Sequence, residues 1–208
     1  MDFSKTSARG ALAGLVLALV LSAAAIAGLR PNPANDSRLV NQPIEEFRYD
    51  RAEGCKDEPQ RGTKALQRWL EHNVRGESWG IMRCERWDDG YSVHSEGRAI
   101  DWHLDASSTK DKRAAMRLIH TLLDNDRHDQ PAALARRMGV QGLIFNCRSW
   151  WSGQDGLAEY SYCYGPNGKR KRGLDRTQAH KDHVHIELNW PGARKRTSFW
   201  RSPLGDRY

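Results

Sequence analysis

Apolar residues recur at helical spacing in two stretches of this chain and alternate strictly in two others. Ala65, Leu66, Trp69 and Leu70 share one face of a helix predicted from about residue 63 to 74, with Gly76 as its stop signal. Ala115, Leu118, Ile119 and Leu122 do the same for a helix over about 109–123, which Ser108 or Thr109 can cap. Residues 98–104 alternate as a strand, with Ala99, Asp101 and His103 on one face and Ile100, Trp102 and Leu104 on the other. Residues 183–188 alternate in the same way, His183, His185 and Glu187 against Val184, Ile186 and Leu188. Residues 79–84 and 140–147 read as two more strands, and 85–90 as a polar connection. Residues 131–138 read as a short helix opened by Pro131 and closed by Gly139. The stretch 149–176, rich in aromatic and basic residues and containing Gly165, Gly168 and Gly173, is expected to be a long loop. Together these elements predict a small α+β domain: a central antiparallel or mixed sheet with helices packed on one face.

The first residues change the picture of where this domain works. Lys5 and Arg9 precede an uncharged run over residues 10–29, and Ala25-Ile26-Ala27 fits a small-x-small cleavage site. The run is longer than the roughly 7–15 residues of a usual signal core and close to the roughly 20 that span a bilayer. Residues 1–29 are therefore expected to be a signal peptide or an uncleaved signal anchor, the only membrane contact expected. Either outcome places the rest of the chain outside the cytoplasm, secreted or anchored. Pro31, Pro33 and Pro43, with Asn35, Asp36 and Asn41, mark residues 30–50 as a linker and leave 51–208 as the domain.

Four cysteines, at 55, 84, 147 and 163, suggest two disulfides in an exported domain. Three pairings are open; Cys55–Cys84 with Cys147–Cys163 is favoured because short-range closure is easiest. No two cysteines stand as Cys-x-x-Cys, which argues against a zinc site made from all four. The formal charge is +7, and removing Asp2, Lys5 and Arg9 with the leader lowers it by one, to +6. A basic exported protein is drawn to anionic polymers such as bacterial wall material, and export disfavours nucleic acid as a partner.

The two alternating strands also carry the candidate chemistry. If their aliphatic faces bury against helices, the opposite faces put Asp101 and His185 side by side, and His94 enters from the loop before the first strand. Gly97 lets that loop turn tightly, and Ala99 leaves room for an ion. Two imidazoles and a carboxylate suit zinc with a position left open for water, the arrangement of a hydrolase. Other residues carry two readings each. His103 is a structural histidine or lies beside the ligands; His180 orients a ligand or meets substrate; Glu187 bonds a ligand histidine or faces solvent. Trp150, Trp151, Tyr160, Tyr162 and Tyr164 line a groove or pack the core. Lys169-Arg170-Lys171-Arg172 binds anionic wall polymer or is a solvated loop.

The run Ser92-x-His94-x-x-Gly97-x-Ala99-x-Asp101, followed by Asp182-x-x-His185, resembles the LAS zinc peptidases: lysostaphin-type enzymes, D-Ala-D-Ala and L-Ala-D-Glu peptidases and the hedgehog amino-terminal domain. The resemblance implies that His94, Asp101 and His185 bind Zn2+. It implies a general base at Asp182, three residues before the last ligand, or at His183 by likeness to the lysostaphin His-x-His. It also implies an arginine before the first motif that holds the oxyanion, with Arg83 the candidate and Arg86 the substitute. Ser92, His180 and Trp151 are the candidates for contacting substrate. Residues 66–189, with Trp150-Trp151 and the run from His180 to His185, also resemble actinobacterial secreted domains of this type. The expectation is an exported zinc metallopeptidase acting on amide bonds of peptidoglycan stem peptides or cross-links. The alternatives are a catalytically silent zinc-binding module that binds wall or a protein partner, and a polyanion binder resting on charge alone.

Overall fold

A computed structural model describes residues 32–87 and 90–208; the expected signal segment lies outside the described residues. Its frame is a six-stranded sheet in the order β1-β4-β8-β5-β6-β7, formed by β1 (Glu77–Gly80), β4 (Ala99–His103), β8 (His183–Leu188), β5 (Val140–Phe145), β6 (Arg148–Trp151) and β7 (Ala158–Glu159). Every pairing is antiparallel, which resolves the choice between an antiparallel and a mixed sheet. A two-stranded ribbon, β2 (Arg86–Trp87) with β3 (Gly90–Tyr91), stands apart within the stretch expected to be a polar connection. The helices are α1 (Ser37–Val40), α2 (Arg61–Asn73), α3 (Thr109–Leu123), α4 (Ala133–Met138), α5 (Trp190–Ala193) and α6 (Ser198–Arg201).

The alternation seen in the sequence becomes two faces. Ile100, Trp102, Val184, Ile186 and Leu188 are fully buried and form one core with Leu66 and Leu70 of α2, Leu118 and Leu122 of α3, Leu134 and Met138 of α4, and Phe199 and Trp200 of α6. Each such side chain contributes roughly 1.5–3 kcal/mol on burial. The polar atoms carried inward are bonded: the Trp102 indole donates to the Arg75 carbonyl at 2.9 Å, and Trp200 to that of Met138 at 2.8 Å. With this face sealed by helices, the other face of β4 and β8 holds the candidate site.

Most predicted elements stand within a few residues of their expected places, and the departures have physical causes. The strand expected over 79–84 is earlier and shorter, because β1 pairs only as far as Gly80 before its chain leaves the sheet. The stretch expected to be a long loop begins with β6 and β7, which extend the sheet; Trp150 is buried on the core face, which holds β6 in place. The expected linker is also corrected. Ala34, Leu39 and Val40 are buried, and the guanidinium of Arg137 donates to the carbonyls of Val40, Gln42 and Pro43, so this segment is packed into the domain. Both favoured disulfides are present, Cys55–Cys84 and Cys147–Cys163, with Cα separations of 5.5 and 5.6 Å. They fit an oxidising, extracytoplasmic environment. Among the described residues no helix is long and apolar enough to cross a membrane.

Candidate metal centre

His94 is placed by a short 3-10 turn, Val93–Glu96, that Ser92 caps by accepting the His94 N–H at 3.3 Å. Gly97 ends the turn at φ +67°, and a Cβ there would meet the Pro59 Cα at 2.7 Å and the Glu58 carbonyl at 2.8 Å, so both backbone and space demand glycine. Thr63 of α2 donates its hydroxyl to the Gly97 carbonyl at 2.8 Å, and the Gln60 N–H reaches the same oxygen at 3.0 Å. The turn is thereby locked to the helix that packs the core. Asp101 and His185 need no such device: they are direct register partners on β4 and β8, as are His103 with His183 and Ala99 with Glu187.

These placements bring three atoms together. The Asp101 Oδ1 lies 3.2 Å from His94 Nε2 and 2.9 Å from His185 Nδ1, and the two imidazole nitrogens are 3.1 Å apart. All three residues are buried. The outward nitrogen of each histidine faces an oxygen: His94 Nδ1 lies 2.7 Å from the Ile81 carbonyl, and His185 Nε2 lies 3.0 Å from Glu187 Oε1. A carbonyl and a carboxylate can only accept, so the outer nitrogens carry protons, and the inner ones present lone pairs wherever they do not take up a second proton. Two imidazole lone pairs and a carboxylate oxygen then converge on one another. Such an arrangement requires a shared proton or a cation.

The group is thus able to hold a metal ion, and the details of the donor set fit one. The separations are close to the roughly 3.3 Å edge of a tetrahedron with bonds of about 2.05 Å. A ligand histidine whose second nitrogen is fixed by a carbonyl or carboxylate is the usual support of a metal site. The support extends further outward. Glu187 Oε2 accepts from Gln141 at 3.2 Å, and Asp101 Oδ2 accepts from the Arg83 guanidinium at 2.6 Å.

Protonation follows from this geometry. Burial raises the Asp101 carboxyl, but hydrogen bonds from His185 and His94 overcome it and hold the group well below the usual carboxylate range. Burial lowers His185, yet its bonds to Asp101 and Glu187 prevail and push it up to about 9. Without metal, His185 therefore folds as an imidazolium. Its contribution to stability is complete below its ordinary value of 6.5 and is lost as pH rises through about 9. Metal binding needs that proton to leave. Metal affinity is accordingly expected to rise with pH up to about 9, with proton release on binding. Calorimetric titration in two buffers of different ionisation enthalpy checks this; equal heats in both at pH 7 would contradict it.

The other predicted residues fall into distinct places. His183 stands beside the triad: its Nδ1 donates to Asp182 Oδ1 at 2.8 Å, and its Nε2 is buried without a hydrogen-bond partner, 3.4 Å from Asp101 Oδ1. Burial lowers this imidazole against the pull of Asp101 and Asp182. Asp182 precedes the strand, so alternation does not bind it, but both its oxygens are engaged, Oδ2 by the Thr177 hydroxyl at 2.8 Å. His180 has φ +49° and lies over the site, its ring 4.7 Å from that of His183 and 5.5 Å from that of His185. Burial, then the neighbouring histidines, lowers it to about 2. Trp151 lies across Gly142, where a Cβ would come within 2.5 Å of its ring and 3.0 Å of Glu187 Oε2. Arg83 is half-exposed and spans Asp101 and Glu85. His103 holds the Asp182 carbonyl at 2.8 Å and is not among the converging ligands. Lys169, Arg170, Lys171 and Arg172 are exposed on a turn beyond the second disulfide.

Three supporting groups escaped the sequence reading. Gln141 and the Ile81 carbonyl lie in strand or loop positions that carry no motif. The third is the Glu96–Arg98 pair, whose alternation with His94 and Gly97 offered a signal: two ionisable residues inside a tight turn between buried positions. Arg98 is fully buried, its Nη2 2.6 Å from Glu96 Oε2.

Fold and site together define an α+β domain with a buried His-Asp-His centre capable of metal binding. The chain belongs to the family described as VldE, C-terminal domain, whose model matches residues 55–184. That span takes in His94, Asp101 and His183 and ends one residue before His185. No curated protein and no solved structure matches the chain.

Proposed function

We propose that this chain is an exported zinc peptidase that hydrolyses amide bonds in peptidoglycan stem peptides or cross-links. The observation that carries the reading is the convergence of His94 Nε2, Asp101 Oδ1 and His185 Nδ1 beside the buried, unpartnered Nε2 of His183. The motif likeness to LAS zinc peptidases supplies the reaction class, and the two disulfides and basic charge support an extracytoplasmic, anionic target. When bound by the triad, zinc supplies a Lewis acid that makes water acidic near neutral pH and polarises the scissile carbonyl.

The protein's own groups supply the rest. Asp182 accepts the Nδ1–H of His183, which fixes the tautomer and leaves the Nε2 lone pair facing the site. His183 is placed to take a proton from the attacking water at Nε2 and return it to the leaving amine as the C–N bond breaks. Asp182 acts through His183 rather than on water, because its second oxygen is held by Thr177. Arg83 fixes the orientation of Asp101 through Oδ2, and its half-exposed guanidinium remains the candidate for charge developing on the carbonyl oxygen. His180, kept neutral by burial, closes the site on the side of Tyr160, whose ring meets it edge-on at 5.3 Å.

These roles predict an order of effects. His183→Ala is expected to lower kcat by about 10²- to 10⁴-fold with zinc content unchanged. Asp182→Asn is expected to cost less, about 10- to 100-fold, because it disturbs the orientation of His183 and leaves its Nε2 in place. Release of new amine groups from purified wall, with metal content measured on the same samples, reads both. A larger loss in Asp182→Asn would make Asp182 the base. Wall binding without hydrolysis by the zinc-loaded wild type would mark a silent binding module instead.

A further inference from the structure

We propose that Trp79 is a stacking platform for a sugar ring, so that the substrate of this site carries a glycan next to its scissile amide. The inference rests on the peptidase reading for the scissile bond but on independent geometry for the sugar. Trp79 sits at an irregularity of β1, where the register with β4 shifts between Ser78 and Gly80. An irregularity of this kind re-aims a side chain, and Gly80 beside it has φ +123°, a conformation that L side chains rarely adopt. The backbone is thus specialised to turn a large aromatic residue outward, and Trp79 is 46% exposed.

The ring is held in place, not loose on the surface. One face stacks on His103 with centroids 4.2 Å apart and planes at 16°. His103 is fixed in turn by its bond to the Asp182 carbonyl, the residue that orients His183. The indole centroid lies 6.0 Å from that of His183, so Trp79 borders the proposed base. Among the described residues the indole N–H has no hydrogen-bond partner. A rigid aromatic face together with a free donor at its edge matches a pyranose. The ring C–H groups of the sugar cover the indole face, and a hydroxyl or acetamido oxygen accepts the N–H. A flexible aliphatic side chain would use the face and leave the donor idle.

The test uses the full chain and a soluble β-1,4-linked N-acetylglucosamine tetramer, with metal removed so that no hydrolysis is involved. Calorimetry is expected to show binding by wild type, a loss of about 3- to 10-fold in Trp79→Ala, and a smaller loss in Trp79→Phe, which keeps an aromatic face without the donor. Equal binding by wild type and Trp79→Ala, or no binding by wild type, would overturn the proposal. Hydrolysis is read separately on a free stem peptide and on the same peptide joined to its disaccharide. A Trp79→Ala loss confined to the disaccharide-bearing substrate supports the platform, and equal rates on both overturn it. If wild type binds the tetramer through Trp79 but cleaves neither substrate, the peptidase reading fails and the sugar platform stands.

Discussion

Purified protein is expected to carry about one zinc per chain, and His185→Ala to carry almost none and release no amine groups from wall. Holding one imidazole of a three-ligand set accounts for roughly a third of the binding free energy. With about 10–16 kcal/mol typical of structural zinc sites near neutral pH, that is roughly 3–5 kcal/mol, or about 10²- to 10⁴-fold in affinity. The metal-free protein suffers as well. The His185 imidazolium lies between Asp101 and Glu187, both buried, and its removal leaves the two carboxylates without the cation that separates them. Glu187→Gln separates these effects, because it keeps the volume and an acceptor while removing charge. It is expected to lower zinc affinity by about 10- to 100-fold and to bring the raised His185 pKa down. Atomic absorption on dialysed samples and imidazole proton shifts in NMR are the readouts. Wild-type zinc content in His185→Ala would remove the triad from the mechanism altogether.

The largest purely structural effect is expected at Arg98. Its guanidinium donates to Glu96 Oε2 at 2.8 Å, to the Leu188 carbonyl at 2.6 Å, and to the carbonyls of Asp50 and Arg51 at 3.0 and 3.1 Å, while its plane lies 4.7 Å from the Trp190 ring. Glu96 uses its other oxygen to accept the Glu53 N–H at 3.0 Å. One buried ion pair therefore ties the segment before α2 to the end of β8 and to the turn that carries His94. Arg98→Ala leaves a buried glutamate unpaired and three carbonyls without their donor, a loss of about 3–5 kcal/mol. For a domain of this size that lowers Tm by roughly 6–20 °C. The double change Glu96→Gln with Arg98→Met removes both charges and is expected to be milder than Arg98→Ala alone. Thermal unfolding of the three proteins checks the order; a double variant as unstable as the single one would show that the carbonyl contacts, and not the charge pair, dominate. Because His94 sits two residues before Glu96, Arg98→Ala is also expected to weaken zinc binding.

The site was legible where one periodicity specified two things. Alternation in 98–104 and 183–188 sends every second residue to the helices and the rest to the opposite face. The same pattern that buries Ile100 and Ile186 therefore presents Asp101 and His185. It was less legible where the informative bond lies between a side chain and a distant backbone group. Nothing in the residues 137–142 announces that Gln141 supports Glu187, or that Arg137 seals the carbonyls after α1 and draws the expected linker into the core. The aromatic stretch after Ser149 hid two strands, because Gly and basic residues between them mimic the composition of a loop. What made β6 a strand was an available edge on β5 and a core for Trp150.

By itself, then, the sequence determined the α+β class, the two long helices, the strands that carry Asp101 and His185, and the grouping of His94, Asp101 and His185 as a candidate set; the disulfide pairing it left open, and the structure chose the short closures. These follow from local periodicity and spacing, which the chain cannot hide. Only the tertiary structure decided which partners those residues meet: Glu187 and the Ile81 carbonyl behind the two histidines, Arg83 behind Asp101, and Asp182 turned to His183 and Thr177 instead of the triad. The reason is that register and side-chain direction depend on elements far apart in the chain. A carboxylate one residue outside a strand is free of the strand's alternation, and its direction is set by the hydroxyl and imidazole that fold against it.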